Sequence, residues 1–130
     1  MKIKQLTKVA LLAAASLMAF QASAAYPDGK PIGAMVAYGP GGATDFQARI
    51  ATLASGKEAF IGAPIYIVNK PGAGGRTGWN WFASEAPKDG FMLAAYNVPH
   101  FIAQSIVFDT AYSIDTLEPL GNWGADPAVL

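Results

Sequence analysis

Twice in this chain a short apolar run ends in a glycine-rich loop, and each loop opens into a stretch with helical spacing. Ile32 to Tyr38, bounded by Pro31 and Gly39, reads as a buried strand. Gly39-Pro40-Gly41-Gly42-Ala43-Thr44-Asp45 follows as a loop. Phe46, Ile50 and Leu53 then recur at i, i+4 and i+7, with Thr44 or Asp45 placed to cap the helix they define. Pro64 to Val68 is a second strand, Lys70 to Gly75 a second Gly/Pro loop, and Thr77 to Ala86 a second helix carrying Trp79, Phe82 and Ala83. Pro87-Lys88-Asp89-Gly90 makes a turn into a third strand, Phe91 to Tyr96. Asn97-Val98-Pro99-His100 then leads into a short helix, Phe101 to Val107. Strands separated by helices call for right-handed crossovers, so the expected fold is α/β with a mainly parallel sheet. Leu120 to Trp123 and Ala128 to Leu130 read as further strand starts, the last cut off within an apolar run.

Composition closes several functions. The 130 residues are 52% hydrophobic and 14% charged, with nine Lys+Arg against nine Asp+Glu, an ordinary globular balance with room for one small domain. No basic cluster offers a nucleic-acid surface. With no cysteine, thiol catalysis, thiolate zinc sites, iron–sulfur ligation and lipid attachment through cysteine are excluded. The even charge hides an asymmetry: Lys2, Lys4 and Lys8 precede an apolar run from Val9 to Phe20, and Ala22-Ser23-Ala24 is a small-residue cleavage pattern. That order is a secretory signal peptide over residues 1–24, and the apolar run is too short to span a bilayer. Its removal leaves a mildly acidic, exported chain from residue 25, expected in the periplasm.

The glycine loops invite phosphate-binding readings that fail on spacing. A dinucleotide fingerprint starting at Gly39 would need glycine where Thr44 stands, and one starting at Gly72 would need it at Thr77. No lysine follows either loop as a P-loop requires. What the first loop does offer is a run of backbone N–H groups at a helix N-terminus after a strand's carboxyl end. Unpaired amides and the positive end of the helix dipole both favour an anion there. In an open parallel sheet ligands collect beyond the carboxyl ends of the strands, so the Gly39–Asp45 and Asn97–His100 loops are expected on one edge.

Four ordered motifs carry a resemblance: Tyr26-Pro27-Asp28-Gly29-Lys30-Pro31-Ile32, Pro40-Gly41-Gly42-Ala43-Thr44-Asp45, Val68-Asn69-Lys70-Pro71-Gly72-Ala73-Gly74-Gly75 and Ala86-Pro87-Lys88-Asp89-Gly90. In order and spacing the chain resembles the Bug receptors, the extracytoplasmic solute-binding proteins of tripartite tricarboxylate transporters. The resemblance implies a periplasmic-binding-protein-like clamshell of which residues 25–130 are most of the first, N-terminal lobe. It implies a receptor, monomeric at full length, that captures a small organic acid and hands it to membrane subunits of the transporter, with no cofactor, metal or nucleic acid. Carried across, the first ligand loop falls on Tyr38, Gly39, Pro40, Gly41, Gly42, Ala43, Thr44 and Asp45, and the second on Tyr96 to His100, that is Asn97, Val98, Pro99 and His100. Gly41, Gly42 and Ala43 would offer amides to a carboxylate, Thr44 a hydroxyl, and Asp45 would brace the loop or accept from a ligand amine. Gly39 stands where the family usually has a second proline. Asn97-Val98-Pro99-His100 replaces the small Gly, Ser and Thr residues of many relatives.

The remaining chemistry-bearing residues have plainer expectations. His100, the sole histidine, lacks the nucleophile and orienting carboxylate of a catalytic base, and reads as a loop residue that hydrogen-bonds a carboxylate or caps a turn. Trp79 and Phe82 read as core, with Trp81 on another face. Asp109, Asp115, Glu118 and Asp126 match no calcium-loop spacing and read as turn and cap residues. Arg49 and Arg76 are expected on solvated faces rather than as acid clamps. Two rival readings stand beside the receptor. One is a truncated, non-functional receptor remnant. The other is a periplasmic hydrolase, which would need the nucleophile-elbow pattern G-x-S-x-G that does not occur in these residues.

Overall fold

The computed structural model describes residues 26–57, 60–122 and 124. They form β1 (Ile32–Val36), α1 (Ala43–Ser55), β2 (Ile65–Asn69), a 3-10 turn (Ala73–Gly75), α2 (Arg76–Ser84), β3 (Met92–Ala95) and α3 (Val98–Val107). The strands make a three-stranded sheet in the order β2-β1-β3, with both pairings parallel. Ile32 pairs with Ile65 and Val36 with Asn69 on one side, and Gly33 with Met92 and Val36 with Ala95 on the other. The parallel α/β expectation holds, and each strand lies within two residues of its expected bounds.

β1 is buried along its whole length because it is both the central strand and covered on both faces. Its alternation sorts the core in two. Met35 and Ala37 face a cluster with Trp79 of α2, Phe101 of α3 and Tyr112, while Val36 faces Ala48 of α1 and Ala95 of β3. The larger cluster is aromatic: Trp79, Phe101 and Tyr112 lie with ring centroids 4.5 to 5.7 Å apart. The Trp79 indole N–H reaches the Ala95 carbonyl at 3.1 Å, so its polar atom is satisfied within the core.

Several expectations are corrected. α1 is capped by Gly42, with no side-chain bond, instead of by Thr44 or Asp45, which sit inside its first turn. The Phe46, Ile50 and Leu53 stripe points outward, at 63%, 53% and 75% exposure, and the inward positions are Asp45 and Ala48. Small Ala48 lets the helix lie close to the sheet, and Asp45 is drawn inward by its hydrogen bonds. Trp81 is half-buried against the aromatic cluster rather than on a separate face, and Lys70 Nζ lies 4.1 Å from its ring centroid. α3 starts at Val98, ahead of Phe101, because Pro99 suits a first turn whose N–H needs no partner. Leu120 to Asn122 form no strand. The signal peptide, Trp123, Asp126 and the Ala128–Leu130 run lie outside the described residues.

α2 packs on the loop after β2 through Gly78. A Cβ there would come within 2.6 Å of the Lys70 carbonyl oxygen, 2.9 Å of Ala37 Cβ and 3.0 Å of Ala37 Cα. Two of those atoms are backbone and cannot swing away. Gly78→Ala is expected to destabilise the fold by about 1–3 kcal/mol through overpacking. Gly121→Ala, with nothing within 4 Å of the new Cβ, should stay within about 0.5 kcal/mol of the parent. Urea unfolding of both variants checks the contrast.

Candidate functional site

Because both of its partners run parallel to β1, the carboxyl ends of all three strands open on one edge of the sheet. The loop after β1, the loop after β2 and the start of α3 therefore gather there, as expected for the Gly39 and Asn97 segments. The first of these is the most elaborate. Gly41 has φ of +84°, a conformation L side chains rarely adopt, and it turns the chain back so that Gly42 can cap α1. The first helical hydrogen bond runs from the Phe46 N–H to the Gly42 carbonyl at 2.9 Å. The amides of Ala43, Thr44 and Asp45 thus have no partner inside the helix, and no side chain caps them. An open cavity of about 540 Å³ lies against this segment, lined by Pro40, Gly41, Gly42, Ala43, Asp45, Phe46 and Arg49.

Asp45 organises the loop from beneath. It is 2% exposed, and both carboxylate oxygens are engaged. Oδ2 accepts from the Gly41 amide at 2.9 Å and from Arg49 Nε at 2.8 Å; Oδ1 accepts from Arg49 Nη2 at 3.0 Å and from Asn69 Nδ2 at 2.8 Å. The Arg49 hydrogen bonds, with those of Gly41 and Asn69, hold its carboxyl far below the usual carboxylate range. The same pairing raises the Arg49 guanidinium. Asn69, the last residue of β2, also donates Nδ2 to the Tyr38 carbonyl at 2.9 Å, while its Oδ1 accepts from Arg49 Nη2 at 3.3 Å. A carboxylate so fully engaged braces the loop and has no lone pair free for a ligand amine. Arg49 is exposed, as expected, and from that face it also forms a two-point fork on Asp45 along one turn of α1.

The second and third segments are joined to the first through Gly74. Its carbonyl accepts from Gln104 Nε2 at 2.9 Å and from the Tyr38 hydroxyl at 3.4 Å. Burial pushes the Tyr38 phenol up. Asn97 caps α3, and its Oδ1 and Gln104 Oε1 are buried with no partner among the described residues. Val98, Pro99 and His100, expected in a loop, are exposed residues of the first turn of α3. Arg76 stacks over the Phe108 ring at 3.9 Å and forms no ion pair among the described residues. Sequence reasoning passed over Asn69 and Gln104 as site residues. The i, i+4 spacing of Asp45 and Arg49 was a usable signal for a helical ion pair. The partnership of Asn69 with Tyr38 and Asp45 depends on strand pairing and had none.

Open parallel α/β units with their loops gathered on one carboxyl edge are ligand-binding scaffolds, and this one presents bare helix amides at that edge. No known family profile matches the chain. A UPF0065 protein of Bordetella pertussis is 34% identical over 98% of this chain, and protein BugT of the same organism is 32% identical over 92%. A solved chain titled as the structure of a periplasmic transporter superposes with a TM-score of 0.59 at 35% identity, covering 68% of this chain and 29% of its own length. The chain belongs with the UPF0065, or Bug, proteins, and it spans 38% of the length of that UPF0065 relative and 36% of that of BugT.

The Asp45 network carries a pH signature. A carboxyl whose pKa is lower folded than unfolded contributes stability that is present above the unfolded pKa and lost as pH falls through the folded one. Wild-type protein should therefore exceed Asp45→Asn in stability by a constant margin from pH 7 to about pH 5, a margin that narrows below about pH 4. Denaturant midpoints measured across that range test this, and a margin independent of pH down to about pH 2.5 would contradict it.

Proposed function

We propose that this chain is the N-terminal part of an extracytoplasmic solute-binding receptor that captures a small organic acid and delivers it to the membrane subunits of a tripartite tricarboxylate transporter. The observation that carries this reading is the start of α1, which no side chain caps and where Gly41, Gly42, Ala43 and Asp45 line an open cavity at the carboxyl edge of the sheet. Its relationship to Bug proteins and to a periplasmic transporter supports the same class. In this reading a solute carboxylate sits against the Gly42–Thr44 segment, held by backbone N–H groups and the positive end of the α1 dipole. The Thr44 hydroxyl adds a donor. Asp45 and Arg49 neutralise each other beneath the loop, so the anion meets dipoles and amides instead of a free guanidinium. The chain binds its solute and does not transform it.

Export follows from the same reading. Residues 1–24 act as a signal peptide, and the periplasmic form starts at Ala25. Mass spectrometry of the protein recovered from a periplasmic extract should show that N-terminus, and an intact Met1 in that fraction would oppose it.

The ligand assignment is tested on the full-length protein by calorimetric titration with di- and tricarboxylates, citrate first. Gly42 has an ordinary φ of −76°, and a Cβ there would meet only the Gly39 carbonyl oxygen at 3.6 Å. Gly42→Val consequently acts by covering the amides with little backbone strain. It should weaken binding at least about tenfold, or roughly 1.4 kcal/mol. His100→Ala, on an exposed turn, should change affinity less. Unchanged affinity in Gly42→Val would falsify the anion loop, and a larger loss in His100→Ala would move recognition to the start of α3.

A further inference from the structure

The loop that offers its amides to the cavity is rich in glycine, and a chain of that composition loses much conformational freedom on being held in one shape. Something must hold it. The two ends of the segment, Tyr38 and Asp45, are bridged by a single side chain from another strand. Asn69 Nδ2 donates to the Tyr38 carbonyl at 2.9 Å and to Asp45 Oδ1 at 2.8 Å, and Asp45 Oδ2 in turn receives the Gly41 amide at 2.9 Å. A primary amide has two N–H donors and one carbonyl acceptor. At Asn69 both donors have partners on this loop, and the acceptor receives Arg49 Nη2 at 3.3 Å. No other amino acid of this size supplies two donors and an acceptor in one plane.

We propose that Asn69 is the positioning residue of the solute site: it touches no ligand, and it sets the shape of the Gly39–Thr44 amides through Tyr38 and Asp45. The part that concerns a solute rests on the receptor reading above, whereas the part that concerns loop order does not. Binding donors held in place before the ligand arrives are stronger than donors that must be ordered on binding. Loss of Asn69 should then loosen the loop first and reach the solute only through it.

Two near-isosteric variants separate the contributions. Asn69→Leu removes every polar atom and leaves the Tyr38 carbonyl without this donor. Asn69→Asp keeps the shape and the acceptor for Arg49, removes both donors, and sets a second carboxylate against Asp45. In the full-length protein, hydrogen exchange at the Gly41 amide should accelerate at least about tenfold in both variants, with amides of α2 and β3 unchanged. Citrate, used as the probe, should bind at least about fivefold more weakly to both in calorimetric titration, because the loop must now be ordered on binding. Wild-type exchange at Gly41 in both variants would overturn the proposal. So would acceleration spread evenly over α2 and β3, which marks a general stability role. If wild-type protein fails to bind citrate or any other carboxylate, the receptor reading falls, while the exchange comparison still decides whether Asn69 orders the loop.

Discussion

The structure depends on β1 having a parallel neighbour on each side. A central strand with one antiparallel partner would send the following loops to opposite edges; here each strand delivers its loop to the same one. The strand is fitted most closely to its neighbours at Gly33. At Gly33 a Cβ would come within 2.7 Å of the Met92 methyl carbon, 2.8 Å of its sulfur and 3.1 Å of the Tyr66 hydroxyl, so side chains from both neighbours close over the backbone at this point. Met35 and Val36 then anchor the two halves of the core, and the helices are placed by what they bury against these residues. The site is thus a product of sheet topology first and of its own residues second.

Charge is handled in a consistent way across the fold. The one buried carboxylate among the described residues, Asp45, meets its hydrogen bonds internally, and its counter-ion Arg49 is half-exposed at the cavity wall. Other cations lie over aromatic faces: Lys30 over Phe91 at 3.6 Å, Lys70 over Trp81 at 4.1 Å and Arg76 over Phe108 at 3.9 Å. Positive charge at Lys30, Arg49, Lys70 and Arg76 is thereby tied to rings or to a carboxylate, which in the proposed reading leaves the backbone as the anion-attracting element at the cavity. Recognition of this kind discriminates by shape and hydrogen-bond direction more than by net charge.

Much of this was legible in the residues alone. The apolar runs at Ile32, Pro64 and Phe91 marked the strands because buried parallel strands need continuous hydrophobic stretches. The glycine loops and the order of motifs marked the class. The burial of α1 was not legible. Phe46, Ile50 and Leu53 form an apolar stripe by period, yet the helix turns Ala48 and a carboxylate inward, since Asp45 finds donors at Gly41 and Asn69 that no local pattern reveals. His100 reads as a loop residue because the apolar run that marks the helix begins at Phe101, although the proline before it suits a first helical turn. The exposure of Arg49 was legible, but its contact with Asn69 was not, because that partner lies on a strand it does not adjoin in sequence.

The segment leading into β1 is fastened at the far edge of the sheet. The Tyr26 hydroxyl donates to the Gly90 carbonyl, the Tyr26 and Phe91 rings lie 5.0 Å apart, and Lys30 pairs with Asp89 at 3.2 Å. All of these partners precede β3, at the amino ends of the parallel strands and opposite the glycine loop. A surface linker, affinity tag or fluorophore joined ahead of Tyr26 would emerge on that side. Protein immobilised through such an attachment would present the glycine loop uppermost, and the attachment chemistry could be changed without touching the loop amides.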